Sequence, residues 1–513
     1  EDHTDVGDKA NDALRVDASE LRCKVIGEGG NLGMTQLARV EFSLAGGCCN
    51  TDFIDNAGGV DCSDHEVNIK ILLNAVVACG DLTMKHRDAL LQEMTDSVAQ
   101  LVLQNNYRQT QAISLLELQA ESRSGEYQRF MHYFEEQGRL DRALEFLPTD
   151  EELTERRARG EALTRPELSI LLSYNKAVLK EQLMHAELGD DPFLGQFVAT
   201  AFPALLAERY PDELGEHRLR SEIMATQIAN DIVNRMGLNF VARQRRATGA
   251  STVDVARAYT AVMEIYGLAD IWLQVEALDH SVAASVQMDM MLTLISLVKR
   301  ATRWLLRNRR SELSPSLLIE QFRDGLAELR SAFPDILRER AAQDFQQQLE
   351  DYCEQGVPQL LAARVAGCNH AYSALGIIQG AREAGEPRLQ VARLYYLLGE
   401  QLELDWLSGQ ILNANVENEW QSLARDTYLE DLEWQQRTLA IGALAYMPED
   451  DNLLHCMARW QEKEASLLDR WHQMLVELRA TQTPDFAMLA VANRELLDLA
   501  QSTSRSRANS DAG

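Results

Sequence analysis

Proline is scarce, with 11 in 513 residues, and aromatic side chains make up only 6%. A chain so poor in helix breakers and strand-favouring aromatics, and rich in Leu, Ala, Glu, Gln and Arg, favours helix over strand. Basic charge is also short: 50 Lys and Arg against 79 Asp and Glu leave a formal net charge of −29. Such a surface repels phosphate backbones and anionic bilayers, so neither nucleic acid nor membrane is an expected partner. The eight cysteines (Cys23, Cys48, Cys49, Cys62, Cys79, Cys353, Cys368 and Cys456) show no C-x-x-C and no regular spacing. They read as reduced thiols of a cytoplasmic protein rather than a disulfide framework. The longest apolar stretch, Met288 to Val298, is interrupted by Asp289 and stopped by Lys299-Arg300. It is too short to span a bilayer and reads as a buried helix. The acidic start, Glu1-Asp2-His3-Thr4-Asp5, has no signal-peptide character. It also lacks Met, so the expectation is a processed product or a piece of a longer chain. No fixed-period repeat supports a solenoid.

What is present, 46% hydrophobic and 25% charged residues, is ordinary for a globular protein of roughly three domains. Glycine is uneven. Eight of the 29 (Gly27, Gly29, Gly30, Gly33, Gly46, Gly47, Gly58 and Gly59) fall between positions 27 and 60. Clusters like this mark backbone with special torsions or close approach to a ligand. Short β-like runs border them, Cys23 to Ile26 and Thr51 to Asp55, with a helix expected over Met34 to Leu44. Residues 1 to about 65 thus read as strand, Gly loop, helix, strand, Gly loop, a piece of an α/β domain. Two strands make no stable sheet alone, so the rest must come from elsewhere.

Beyond Glu66 the pattern is helical. Leu90, Met94, Val98 and Leu101 form an apolar stripe. Thr164-Arg165-Pro166-Glu167, flanked by Leu163 and Leu168, is a capping box with a hydrophobic staple and predicts a helix starting there. Leu219, Ile223, Ile232 and Val233 line another helix, stopped by Gly237. Ser251-x-x-Asp254 opens the next, closed by Gly267, and further helices are expected at about 286–308, 314–331, 334–353, 387–402 and 456–480. Residues 502–513 are small and polar and predict a disordered tail.

Two stretches have the composition of a ligand site. Gly27-Glu28-Gly29-Gly30-Asn31-Leu32-Gly33 follows a strand and precedes a helix, the context of a dinucleotide fingerprint, but G-x-G-x-x-G needs glycine where Leu32 stands. Nucleotide contact and a tight helix–strand turn are equally compatible with it. Asn56 to Glu66 follows a strand end, where α/β sheets bind ligands. Gly58-Gly59 permits backbone approach, and Asn56 and Ser63 offer uncharged donors. The bland alternative is a connection capped by Ser63 or Asp64 before a helix entering at Glu66. Elsewhere, Cys353, Cys368 and His370 suit no standard zinc spacing, and no metal is expected; buried thiols and a surface histidine are the simpler reading. Cys62-Ser63-Asp64-His65 holds nucleophile and base types, but sequence neighbours do not easily assume triad geometry. Lys299, Arg300, Arg303, Arg307, Arg309 and Arg310 form a basic patch, read as a solvated helix face or intersubunit salt bridges in preference to an anionic regulator site.

Residues 5 to about 80 resemble the end of the coenzyme domain of glutamate dehydrogenases, more closely the large NAD-specific bacterial type. The stretches that carry the likeness are Asp8 to Val16, Gly27 to Gly33 and Asn50 to Ser63. Leu163 to Leu168 and His217 to Ile223 are similar to that family's carboxyl-terminal domain. The resemblance implies a mainly α chain with a partial Rossmann-type segment at its amino end. In it, residues 1–80 end the NAD-binding domain and 81–160 are helices returning from the catalytic domain. Residues 161–501 form a helical C-terminal domain. It implies NAD as cofactor, with Glu28, Gly29, Gly30 and Asn31 in a loop at its nicotinamide end. Asn56, Gly58 and Gly59 would line the nicotinamide pocket, and Ser63 would bind the side-chain carboxylate of L-glutamate or 2-oxoglutarate. It also implies a homo-oligomer.

The family's catalytic lysine and aspartate lie in an upstream substrate domain. Of the first hundred residues only Lys9, Lys24, Lys70 and Lys85 are lysines, and none sits in a matching motif. No catalytic residue is therefore expected here, and these residues alone are expected to be inactive, because oxidative deamination needs a base that Ser63 and Asn56 do not supply at neutral pH. The competing expectation is a stand-alone helical scaffold or regulatory protein with a degenerate dehydrogenase end. Such a protein should bury the strand edge of residues 23–55 against its own helices.

Overall fold

The computed structural model describes residues 10, 15–30, 32–185, 188, 191–310, 312–416, 418–448, 452–481 and 484–510. The chain is mainly helical and divides into two compact units, Glu1–Arg257 and Ala258–Gly513. No described helix is long and apolar enough to cross a membrane.

The first unit begins with a βαβ element. Strand β1 (Val25–Ile26) pairs in parallel with β2 (Cys48–Cys49), in register Val25 to Cys48 and Ile26 to Cys49, and helix α1 (Gln36–Leu44) crosses between them. Thr35 caps α1 by accepting the Ala38 N–H at 3.2 Å. The turn back to β2 needs glycine twice. Gly46 has φ +90°, and a Cβ on Gly47 would lie 2.4 Å from the Phe42 ring. Phe42, Ala18 and Cys49 form the small core beneath.

The expected strand over Thr51 to Asp55 is instead a helical turn, α2 (Asp52–Asp55), and the Gly58-Gly59 connection is the first turn of a long helix, α3 (Ala57–Cys79). A physical reason lies in the aspartates. Three residues apart, Asp52 and Asp55 share one face of a helix but would point to opposite faces of a strand, and both serve the same loop. The glycine pair thus lies in the first turn of a helix that starts nine residues before Glu66. The stripe from Leu90 to Leu101 is likewise two helices, Met84–Glu93 and α4 (Thr95–Leu118), parted at Met94.

Helix α5 (Arg165–Met184) begins where the capping box predicts. The Thr164 N–H donates to Glu167 Oε2 at 2.7 Å, and Arg156 Nη1 donates to Glu167 at 2.8 Å. Leu168, Leu171, Leu172, Leu179 and Leu183 bury it among α4, α1, β2 and α6 (Arg220–Met236), which Gly237 stops at φ +70°.

The second unit is built from α7 (Ala284–Asn308), α8 (Ser373–Ala384), α9 (Arg388–Gln401), α10 (Glu419–Ala443), α11 (Leu453–Ala480), α12 (Phe486–Ser510) and further helices, among them Pro315–Ile336 and Glu339–Glu354. Three residues of the basic patch pair with α10, although Arg307 among them and Arg310 remain exposed. Arg300 donates to Glu433 at 3.2 Å, Arg303 to Asp426 at 2.8 Å, and Arg307 to Glu430, all on α10. His370 is half-buried, and burial pushes its imidazolium down to about 4. Residues 511–513 lie outside the described residues, and the disorder expected over 502–513 does not hold as far as Ser510, where α12 ends, with Thr503 fully buried. Its polar run was misleading. Thr503 accepts the indole N–H of the buried Trp460 at 3.0 Å, and α12 crosses the bare backbone of Gly442, where a Cβ would lie 2.8 Å from Thr503. Replacing Thr503 with valine keeps the shape but orphans that N–H, so a urea melt should register a loss of about 1–3 kcal/mol; an unchanged midpoint would show that the bond contributes nothing.

Candidate functional site

In the first unit, the glycine loop and the start of α3 share one hydrogen-bonded framework. Glu28 is buried, and its carboxylate turns inward: Arg39 Nε of α1 donates to Oε2 at 2.6 Å, and Nη2 to Oε1 at 2.9 Å. Oε1 also accepts the Met34 N–H at 3.0 Å, closing the loop on itself. Arg39 reaches Asp52 as well, at 3.2 Å. From α2, Asp55 accepts the Glu28 N–H at 3.1 Å and Asp52 accepts the Leu32 N–H at 3.0 Å. Leu32, which stands where a fingerprint would need glycine, is held at φ +56°, a torsion that side chains seldom adopt. The framework extends inward, since Asn50 donates to Asp55 at 2.8 Å and accepts from Arg165 at 3.0 Å.

Between these anchors the backbone is open. Gly29 and Gly30 are exposed, and a Cβ on either would meet no atom within 4 Å; Asn31 lies outside the described residues. On α3, Asn56, Gly59 and Ser63 recur at three and four residues and share one side, Gly59 and Ser63 exposed, with the Ser63 hydroxyl donating to the Gly59 carbonyl at 3.1 Å. Gly58 faces the other way, a Cβ there lying 3.6 Å from Val102 of α4. Cys62, Ser63, Asp64 and His65 fan out around α3. His65 is buried with Nδ1 2.8 Å from the Ala201 carbonyl, so no triad forms.

Sequence reasoning missed the anchors Arg39, Asp52, Asp55 and Asn50, and it missed Lys176. Leu168, Leu172, Leu179 and Leu183 make an apolar stripe on α5, and Lys176 occupies the remaining stripe position, a signal that was available. Its ammonium donates to Gln109 of α4 at 3.2 Å. One turn earlier on α4, Asn105 donates to Asp61 of α3 at 2.9 Å. Burial pushes the Lys176 ammonium down to about 7, against the opposing pull of Asp61.

Residues 160–498 match the family model described as glutamate dehydrogenase, C-terminal, and residues 1–116 match that of the bacterial NAD-glutamate dehydrogenase catalytic domain. The chain belongs to the glutamate dehydrogenase family. Over 98% of its length it is 52% identical to an NAD-specific glutamate dehydrogenase of Pseudomonas aeruginosa and 46% identical to one of Halomonas elongata. One of Mycobacterium tuberculosis is 36% identical over the same share. The match covers 31% of each of these proteins, so the chain spans about a third of the length of the curated relatives it matches.

Two outcomes test the framework. Glu28→Gln leaves the buried Arg39 with only part of its compensation and should cost about 3 kcal/mol in a denaturant titration; no loss would mean the pair is dispensable. Lys176 loses its proton near pH 7 when folded and near 10.5 when unfolded, so its charge opposes folding below pH 7 and has no effect above 10.5. Lys176→Met should therefore gain about 1–3 kcal/mol of stability below pH 7, and the gain should shrink to nothing as pH rises to about 10.5. A gain independent of pH would contradict the assignment.

Proposed function

We propose that these residues are the carboxyl-terminal part of an NAD-dependent glutamate dehydrogenase, which converts L-glutamate, NAD and water to 2-oxoglutarate, ammonium and NADH. The observation that carries this reading is the framework of Glu28, Arg39, Asp52 and Asp55, which ties the open backbone at Gly29-Gly30 to the helix start bearing Asn56, Gly59 and Ser63. Open space at Gly29, Gly30 and Gly59 suits the approach of the nicotinamide end of NAD, which accepts the hydride when bound. Glu28 acts by holding the loop, and Asn31, by the family resemblance alone, borders the nicotinamide or its ribose. Asn56 and Gly59 line the nicotinamide pocket, and Gly58 completes it by letting the first turn of α3 sit against Val102. The Ser63 hydroxyl exchanges its bond to the Gly59 carbonyl for one to the side-chain carboxylate of glutamate.

None of these side chains removes a proton at neutral pH. The base and the group that polarises the imine come from an upstream catalytic part of the same protein, as a lysine and an aspartate. The βαβ element completes a Rossmann-type sheet with that part, and the exposed Val25, Leu32, Leu37, Phe53 and Val60 offer it an apolar surface. The remaining helices brace the catalytic part and join copies into a homo-oligomer in the cytoplasm. A stand-alone scaffold would bury its strand edge, whereas Val25 on β1 is 69% exposed, which favours the dehydrogenase. In the full-length enzyme, Ser63→Ala should raise the glutamate KM about tenfold or more and leave the NAD KM unchanged, the expected effect of losing one hydrogen bond to a charged group. Steady-state kinetics with an unaltered glutamate KM and kcat would refute the role of Ser63.

A further inference from the structure

The second unit contains a cavity of about 180 Å³ between α7, α8, α9 and α10, enough for a molecule somewhat larger than benzene. Its charged lining is mostly satisfied. Glu433 accepts from Tyr395 at 2.7 Å, Ser373 at 3.1 Å and Arg300 at 3.2 Å, and Glu430 is held by Arg303 and Arg307. Asp431 is solvent-exposed at the rim. Two donors are different. Arg437 on α10 has no hydrogen bond or ion pair among the described residues. The Tyr372 hydroxyl has no hydrogen-bond partner among them either, although the residue is only 4% exposed. Burial holds Tyr372 protonated, its hydroxyl pushed up to about 12, so it offers a proton at any physiological pH.

The guanidinium has also been given room. It lies over the bare backbone of α8, where a Cβ on Gly376 would come within 3.1 Å of Arg437 Nη1 and one on Gly380 within 3.4 Å of Arg437 Cδ. Trp304 and Trp434 complete the lining with apolar surface. Arg437 is half-buried and faces the cavity with the Tyr372 hydroxyl, and a planar anion matches a guanidinium fork.

We propose that this cavity binds a small organic monocarboxylate, its two oxygens taken by Arg437 and Tyr372 and its apolar part set between Trp304 and Trp434. A phosphate dianion fits less well, because the two donors together supply a single positive charge, the Tyr372 hydroxyl being neutral. The inference is independent of the dehydrogenase reading, which concerns the first unit.

The test is a calorimetric titration of the full-length protein with sodium benzoate and sodium propionate, and with inorganic phosphate at equal ionic strength. Saturable binding of a carboxylate is expected, weakened at least tenfold in both Arg437→Gln and Tyr372→Phe and unaffected by Ser63→Ala or by the exposed charge change Arg382→Gln. Tyr372→Phe removes one oxygen, so it decides the matter should Arg437→Gln fail to fold. Absence of saturable binding, binding indifferent to Tyr372→Phe, or phosphate binding as tight as the carboxylates would overturn the proposal.

Discussion

The buried pair of Glu28 and Arg39 is the constraint from which the rest of the first unit follows. Two charged groups out of water are tolerated only when their remaining hydrogen bonds are filled. Filling them is what shapes the loop. Glu28 takes the Met34 amide, Arg39 takes Asp52, and Asp52 and Asp55 take amides at both ends of the glycine stretch. The loop is therefore held by its ends while its middle, at Gly29 and Gly30, carries no side chain and meets nothing. A surface that is both rigid and bare is what a flat ligand needs in order to approach backbone, since rigidity removes the ordering cost at binding.

Helix α5 transmits this order to the helical body. Its first residue, Arg165, bonds Asn50 beside the loop and Ser114 and Glu117 on α4, while the capping box one residue earlier fixes where the helix starts. In the second unit the same economy recurs with opposite outcome. Arg300, Arg303 and Arg307 each find a carboxylate on α10, and Arg437 on the same helix finds none. An ion-pair seam beside one guanidinium with no direct carboxylate partner among the described residues sets the cavity apart from ordinary packing.

Local signals were legible in the sequence wherever a short-range interaction decides the outcome. Thr164 with Glu167 specified a helix start to the residue, Gly237 its end in the next helix, and the spacing of leucines the buried faces. Longer-range pairing was not legible. Nothing near Thr51 announces that Asp52 and Asp55 must face a loop twenty residues earlier, so β-favouring neighbours suggested a strand where a helical turn forms. Gly58-Gly59 signals backbone freedom equally in a loop and in a helix packed closely on Val102. The polar tail from Ser502 gave no hint that one hydroxyl meets a buried indole. Within the candidate site, the glycine and serine positions could be named from the family resemblance, and Lys176 was legible as the one charge in the leucine stripe of α5, whereas Arg39 becomes visible only once α1 lies against the loop.

The central claim is that side-chain carboxylates, rather than backbone pairing, hold the loop in place. Hydrogen–deuterium exchange of the segment spanning residues 27–35, compared between the natural protein and Arg39→Met, tests it most directly. Slow exchange is expected at the Glu28, Leu32 and Met34 amides, comparable to helix α1, and is lost in the variant. Equal and rapid exchange in both proteins would contradict it.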